Sequence, residues 1–316
     1  KPDICHFHNI DQLSFSTIKA AIKFKIPSII TLYDYWPFCS KKILLDENRL
    51  FCRRYNCRHC IDCVGHYQNW DKIIAKLLFK KDKISKNFLN YCDFIHVLSN
   101  NSKEISIDYG IPAKKILVLP TYFDLKNTGG QIQRDKNHIM FVGWFLYHKG
   151  IHIIIEAVGK LKKRFPDIKL TAFGEALGQD KVYTENLYKR IEELGIKDNV
   201  NLVGKATFET ISEYLKKATV ITISEQWHNM GPVILLEALA YKIPVVASNL
   251  GAMPEMIEHG KEGFIAEYNN PDDWADKLEY VFNNTDKMND VVEAGYKKVQ
   301  SYCNETDYYE KLSSVY

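Results

Sequence analysis

The sequence predicts an α/β protein of two Rossmann-like lobes, and three observations carry that expectation. Short apolar runs alternate with helix-period segments along nearly the whole chain, the pattern of parallel strands covered by helices. One polar stretch, residues 124–137 with Gly129-Gly130, interrupts the alternation and reads as a link between lobes. Several of the runs end in a glycine that precedes a helix start, the place where open parallel sheets receive ligands.

In chain order, strands are expected at residues 3–7, 28–32, 94–98 and 116–119 in the first lobe. In the second they are expected at 138–142, 169–173, 200–203, 220–223 and 244–247. Helices are expected at 151–165 and 185–194, and the last segment, 286–316, reads as helices without a strand. The expected domains are therefore 1–130, 131–300 and a C-terminal helix at 301–316 returning to the first lobe. The chain opens with Lys1-Pro2-Asp3 and runs straight into a strand-like segment. This predicts a first lobe incomplete at its N-terminus, with no secretory signal in the opening.

The chain has 316 residues, enough for two domains of ordinary size. Its 46% hydrophobic and 26% charged residues are ordinary for a globular protein. A formal charge of +3 is too small to argue for nucleic acid as a partner. No apolar run reaches the roughly 18 residues a spanning helix needs, so a cytoplasmic location is expected, with at most contact at the inner face of a membrane. Residues 70–86 are basic and amphipathic. They would suit an anionic membrane surface, although a helix packed on the sheet with solvated lysines is the simpler reading.

The most informative stretch runs from Ser224 to Ala240. A strand ends, a loop follows, and Gly231-Pro232 opens a helix whose first amides, from Val233 onward, form an anion site. Glu237 follows on a helix face shared with Val233, Ile234, Ala240 and Tyr241. A carboxylate on such a face needs hydrogen-bond donors, from sugar hydroxyls or from the protein's own backbone. Gly143 ends an earlier strand, and Lys149-Gly150 stands at a helix start, where the dipole disfavours a cation unless an anion is near. Gly251 with Pro254-Glu255 marks a further helix start.

Taken together, Gly143, Lys149-Gly150, Gly204, Pro232 to Glu237, Pro244 to Ser248 and Gly251 to Glu255 resemble the family-4 glycosyltransferases of the GT-B fold. The resemblance implies that Glu237 holds the ribose of a nucleotide diphosphate sugar, UDP- or GDP-linked, and that Lys149 holds the diphosphate. The amides from Met230 through Gly231 and Pro232 to Val233 would face the sugar and its phosphate. It further implies transfer of a hexose-type sugar with retention to a polysaccharide or glycolipid acceptor, with no cofactor required for catalysis. The chain departs from the family at three points. Trp144 stands where Arg is usual, Asn229 replaces the first Glu of a Glu-x7-Glu pair, and Tyr33-Asp34 replaces His-Asp. These departures keep two rivals open: a catalytically degenerate nucleotide-sugar-binding protein, and another GT-B enzyme such as a sugar-nucleotide epimerase.

Of eight cysteines, Cys52, Cys57, Cys60 and Cys63 crowd one insert, residues 36–66. The spacing suits a structural zinc site, while Cys-x4-Cys-x2-Cys also resembles iron–sulfur spacing. Reduced thiols or disulfides are the competing readings. His6 and His8 alternate on one strand face, where a structural role is expected.

Overall fold

The computed structural model describes residues 2–10, 15–55, 60, 63, 71–125, 132–176 and 181–316. It divides into two compact units. The first comprises Lys1–Thr121, Trp227–Gly231 and Glu305–Tyr316; the second comprises Tyr122–Gln226 and Pro232–Asn304. Gly129-Gly130, the centre of the expected link, lies outside the described residues.

The first unit carries a parallel sheet of β1 (Cys5–His8), β2 (Ser28–Thr31), β3 (Phe94–Val97) and β4 (Ile116–Val118), in that order. Among the described residues preceding its last strand, its helices are α1 (Ser16–Lys23), α2 (Asp71–Tyr91) and α3 (Asn100–Tyr109). Ser99 starts α3 with a capping box closed by Ser102, and Gly110 ends it in the left-handed region. Ile30, Leu32, Tyr35, Phe38, Leu89, Ile95 and Val97 form the core, joined by Trp227 and Met230. The expected amphipathic helix is α2. Its C-terminal half buries Ser85, Phe88 and Leu89, while Ile73, Leu77, Lys80 and Lys83 are exposed.

In the second unit the order of elements is β5 (His138–Val142), α4 (Ile151–Leu161), β6 (Lys169–Phe173), α5 (Lys181–Glu193), β7 (Val200–Gly204), α6 (Phe208–Lys217), β8 (Val220–Ile223), α7 (Val233–Ala240), β9 (Val245–Ser248), α8 (Met253–Met256), β10 (Phe264–Ala266), α9 (Pro271–Asn283) and α10 (Thr285–Tyr302). Helix α11 (Glu305–Ser313) belongs to the first unit. The sheet order is β10-β9-β8-β5-β6-β7, parallel throughout.

Each central strand serves two cores. Ile139 and Phe141 enter a cluster with α4 and α9, whereas Met140 enters another with α7 and Met253. This two-residue alternation buries both faces, which is why the strands read as unbroken apolar runs. Strand β10 escaped the sequence reading: three residues carry too little pattern to be seen.

The end of the expected link is built into this unit. The Gln133 and Asp135 amides donate to Lys216 and Lys217 carbonyls. Arg134 is half-buried and donates to the carbonyls of Leu215, Ala218, Tyr241 and Lys242. A guanidinium at the ends of α6 and α7 satisfies carbonyls that a helix leaves open and complements two dipoles.

Candidate functional site

The strand order of the second unit reverses between β5 and β8. Loops leaving the carboxyl ends of such a pair form the ligand crevice of doubly wound sheets. After β5 the chain makes a 3-10 turn, Tyr147–Lys149, and Gly150 enters α4 with φ +76°. A Cβ there would lie 1.8 Å from the Ser224 carbonyl oxygen, so only glycine lets the two loops cross. The crossing is stitched on both sides. The Ser224 hydroxyl donates to the Lys149 carbonyl at 3.2 Å, and the Gln226 amide donates to the His148 carbonyl at 2.8 Å.

Between those stitches the Lys149 ammonium meets the Glu225 carboxylate at 2.8 Å. Glu225 is 5% exposed. Lys149 is therefore not a solvated surface lysine. A bound anion was expected to explain a cation at this helix start; the carboxylate beside it is the protein's own Glu225. Burial, and then Lys149, push the His148 imidazole down to about 4, so it is neutral near pH 7 and leaves Lys149 as the cation of its turn.

A second pair of loops meets at the ends of β5 and β6. The Gly143 amide donates to Phe173, and the Phe145 amide to Glu175. At Gly174, with φ +153°, a Cβ would stand 1.9 Å from the Gly143 carbonyl oxygen. Val142, Gly143, Trp144, Glu175, Lys205 and Ala206 line an open cleft of about 200 Å³ here. That is below the roughly 300–1,000 Å³ of pockets that enclose a whole ligand, so the cleft suits part of one.

Helix α7 begins at Val233, with Pro232 in extended conformation as its N-cap and no side-chain cap. Pro232 thus stands one position before the first helical residue, not at that first position as the sequence had suggested. The Leu235 amide already bonds back to Pro232, leaving Val233 and Ile234 as the open amides of the turn. Glu237 is half-buried among Leu236, Ala238, Ala240 and Tyr241, and burial raises its pKa. Among the described residues its carboxylate has no hydrogen bond or ion pair.

Asn229, Met230 and Gly231 belong to the first unit. Met230 is fully buried in that unit's core. The Gly231 amide, expected to face a ligand, instead donates to Asn229 Oδ1 at 3.1 Å. The short asparagine side chain folds back on its own loop, as this residue type does in turns.

Cys52, Cys60 and Cys63 line a small cavity together with Cys39, Phe38 and Leu45. All four thiols are unbridged. Cys63 donates to Glu47 at 3.6 Å, and burial pushes its thiol up to about 11. Among the described residues no three His, Cys, Asp or Glu side chains are grouped to hold a metal. Cys57 lies outside the described residues.

At the first unit's sheet, His6 Nε2 lies 2.7 Å from Thr31 Oγ1, which lies 2.9 Å from His96 Nδ1. His96 Nε2 is 2.6 Å from the Leu119 carbonyl oxygen, and His6 Nδ1 is 2.8 Å from the Tyr316 hydroxyl. Burial lowers both imidazole pKa values, His6 to about 4, so both rings are neutral near pH 7. A carbonyl can only accept, so His96 donates through Nε2 and accepts from Thr31. Thr31 then accepts from His6, and His6 accepts from Tyr316. Both ring nitrogens of His6 are thus engaged by the protein. His8 is exposed, stacks on His6 at 4.1 Å and bonds the Tyr33 hydroxyl at 2.8 Å.

The family model of the Glycosyl transferases group 1 matches residues 125–298, more than half of the chain. The chain belongs to the group 1 glycosyltransferases. The Glycosyltransferase Family 4 model matches residues 1–127 of this group 1 glycosyltransferase. It is 30% identical over 200 residues to a D-inositol 3-phosphate glycosyltransferase of Paenarthrobacter aurescens, covering 60% of this chain and 48% of that protein. An uncharacterized glycosyltransferase of Methanocaldococcus jannaschii is 30% identical over 250 residues, covering 71% and 60% respectively. The matched region thus spans about half the length of these curated relatives. The fold matches Anabaena HepE solved with UDP, with a TM-score of 0.77 at 16% identity over 99% of this chain and 78% of that one. Sucrose-phosphate synthase from Thermosynechococcus elongatus gives 0.72 at 15% identity, over 99% and 73%. Both are GT-B enzymes in architecture: two parallel-sheet α/β domains, as here.

Sequence reasoning missed Glu225, Gly174, Glu175 and Lys205. Lys205 directly follows Gly204, already singled out at a strand end, and Glu225 stands two residues past the end of β8. Position relative to the carboxyl edge was the available signal.

Proposed function

We propose that this group 1 glycosyltransferase moves a hexose-type sugar from a UDP- or GDP-linked donor to a saccharide or lipid-linked acceptor, with retention. The observation that carries this reading is the half-buried Glu237, without a partner among the described residues, on a helix opening at the carboxyl edge of the second unit's sheet. A desolvated carboxylate is costly until it gains donors, and the two hydroxyls of a ribose supply them. The open amides of Val233 and Ile234 and the Lys149 ammonium would then act on the diphosphate, where charge grows as the bond to the sugar breaks. In the transfer, the donor's anomeric carbon–oxygen bond breaks and one to the acceptor oxygen forms. The acceptor proton passes to the leaving phosphate, so no separate general base is required.

The cleft beside Trp144 and Lys205 is the proposed seat of the base. The exposed Ile73 and Leu77 next to Lys80 and Lys83 on α2 favour an acceptor held at an anionic lipid surface. No helix among the described residues is long and apolar enough to cross a membrane. A structural metal held by Cys52, Cys57, Cys60 and Cys63 is a separate proposal, read out by zinc content of the purified chain.

Calorimetric titration with UDP and with GDP tests the donor site. One nucleotide should bind at micromolar affinity, and Glu237→Ala should weaken it by about 100-fold, the loss of two charge-assisted hydrogen bonds. Binding unchanged in the variant would defeat the assignment. Binding without turnover across a panel of donors and acceptors would favour the degenerate reading.

A further inference from the structure

We propose that Glu225 is a positioning residue for Lys149, fixing its ammonium at the switch point before a donor arrives. The inference rests on the donor-site reading above and assigns a role to a residue that reading does not use. A lysine side chain has four flexible carbons and loses much of its rotamer freedom when held in one place. Transition-state stabilisation depends on charge already in position, so a wandering ammonium would spend that freedom during the reaction.

Glu225 removes the problem structurally. Its carboxylate is 5% exposed and lies 2.8 Å from Lys149 Nζ. Its own placement is over-determined. Ser224 on one side is bonded to the Lys149 carbonyl, and Gln226 on the other to the His148 carbonyl. The Gln226 side chain also donates to the Ser224 carbonyl at 2.7 Å. The residue that holds Lys149 is thus carried by a segment tied to Lys149's own backbone. Gly150, pressed against Ser224, keeps the two loops in that register.

The proposal has a sign that simple electrostatics opposes. Removing a carboxylate near a bound diphosphate should tighten nucleotide binding if Glu225 were a bystander. Positioning predicts the reverse. Glu225→Gln should weaken UDP or GDP binding by about 10-fold, through misplacement of the ammonium. In a Lys149→Met background the same change should do nothing or should tighten binding, because no ammonium remains to be placed.

Titration of the full chain with UDP and with GDP, on wild type, both single variants and the double variant, decides it. Thermal melting of each confirms that it folds. Weaker binding in Glu225→Gln that disappears or inverts beside Lys149→Met is the expected result. Equal or tighter binding in Glu225→Gln overturns the proposal. So does a loss that persists undiminished without Lys149, which marks a merely structural role. If Lys149→Met itself leaves nucleotide binding intact, the diphosphate assignment of Lys149 fails, and Glu225 fails with it.

Discussion

The carboxyl edges of the two sheets treat their polar groups in opposite ways. In the first unit, Tyr316, His6, Thr31, His96 and the Leu119 carbonyl form one chain of hydrogen bonds in which every side-chain N–H and O–H donor is used. In the second, Glu237 is half-buried and left without a partner among the described residues. A saturated edge is finished by folding, whereas an edge that leaves a desolvated carboxylate open holds free energy that a ligand releases. Altering the first edge should therefore change stability without changing nucleotide binding. Altering the second should change nucleotide binding and move stability by little, except where its loops touch backbone to backbone.

That exception gives the largest expected effect. Gly150→Ala places a Cβ 1.8 Å from the Ser224 carbonyl oxygen at φ +76°, and neither loop can yield without breaking the stitches around Lys149. A loss of about 4 kcal/mol or more is expected by denaturant unfolding, together with loss of nucleotide binding. A variant of near wild-type stability would mean that the loops do not cross so closely in solution.

Next comes Arg134→Met, which keeps the aliphatic stem but strands four carbonyls at the ends of α6 and α7. About 3 kcal/mol of stability should be lost. Nucleotide affinity of the protein that remains folded should stay within about 2-fold, since the guanidinium works at the opposite end of α7 from its open amides. A binding loss larger than the stability loss would show that α7's N-terminus depends on how its C-terminus is closed.

Thr31→Val tests the first edge directly. The isosteric methyl leaves His6 Nε2 and His96 Nδ1 facing each other with nothing to bridge them, a cost of about 1–3 kcal/mol. UDP or GDP affinity should not move. If affinity falls while stability holds, the histidine chain is part of the binding machinery and the contrast between the edges is lost.

These targets also mark where the sequence was legible. The strands of the second unit were readable because both faces are buried and the apolar runs are unbroken. The placement of Gly143, Lys149 and Glu237 was readable because they stand at strand ends and a helix opening. What failed were pairwise facts. Periodicity shows that a position is buried but not what it meets, so Glu225 passed unnoticed although it holds the very lysine singled out. Arg134 was read as part of a linker, since a lone charged residue in a polar stretch shows no sign of the four carbonyls it serves. Met230 and the Gly231 amide were assigned to the ligand by motif. The structure spends them on the first unit's core and on Asn229, a choice fixed by chain segments far away in sequence.

The smallest expected effect probes the open edge by pH. Burial raises the pKa of Glu237 in the folded state. The sign follows from linkage: a carboxyl whose folded pKa lies above its unfolded value favours folding while protonated. That advantage is lost as pH rises from the ordinary carboxylate range through the raised value. Glu237→Gln cannot ionise. Its stability should match wild type in acid and exceed it by about 0.5–1 kcal/mol near neutrality, in the absence of nucleotide. Saturating nucleotide should reverse the order, because the ribose partners a carboxylate more strongly than an amide. Paired denaturation curves across the acid range, with and without the nucleotide that binds, measure both halves. A pH-independent difference with wild type the more stable would show that Glu237 is partnered by the protein in solution. The second edge would then be as closed as the first.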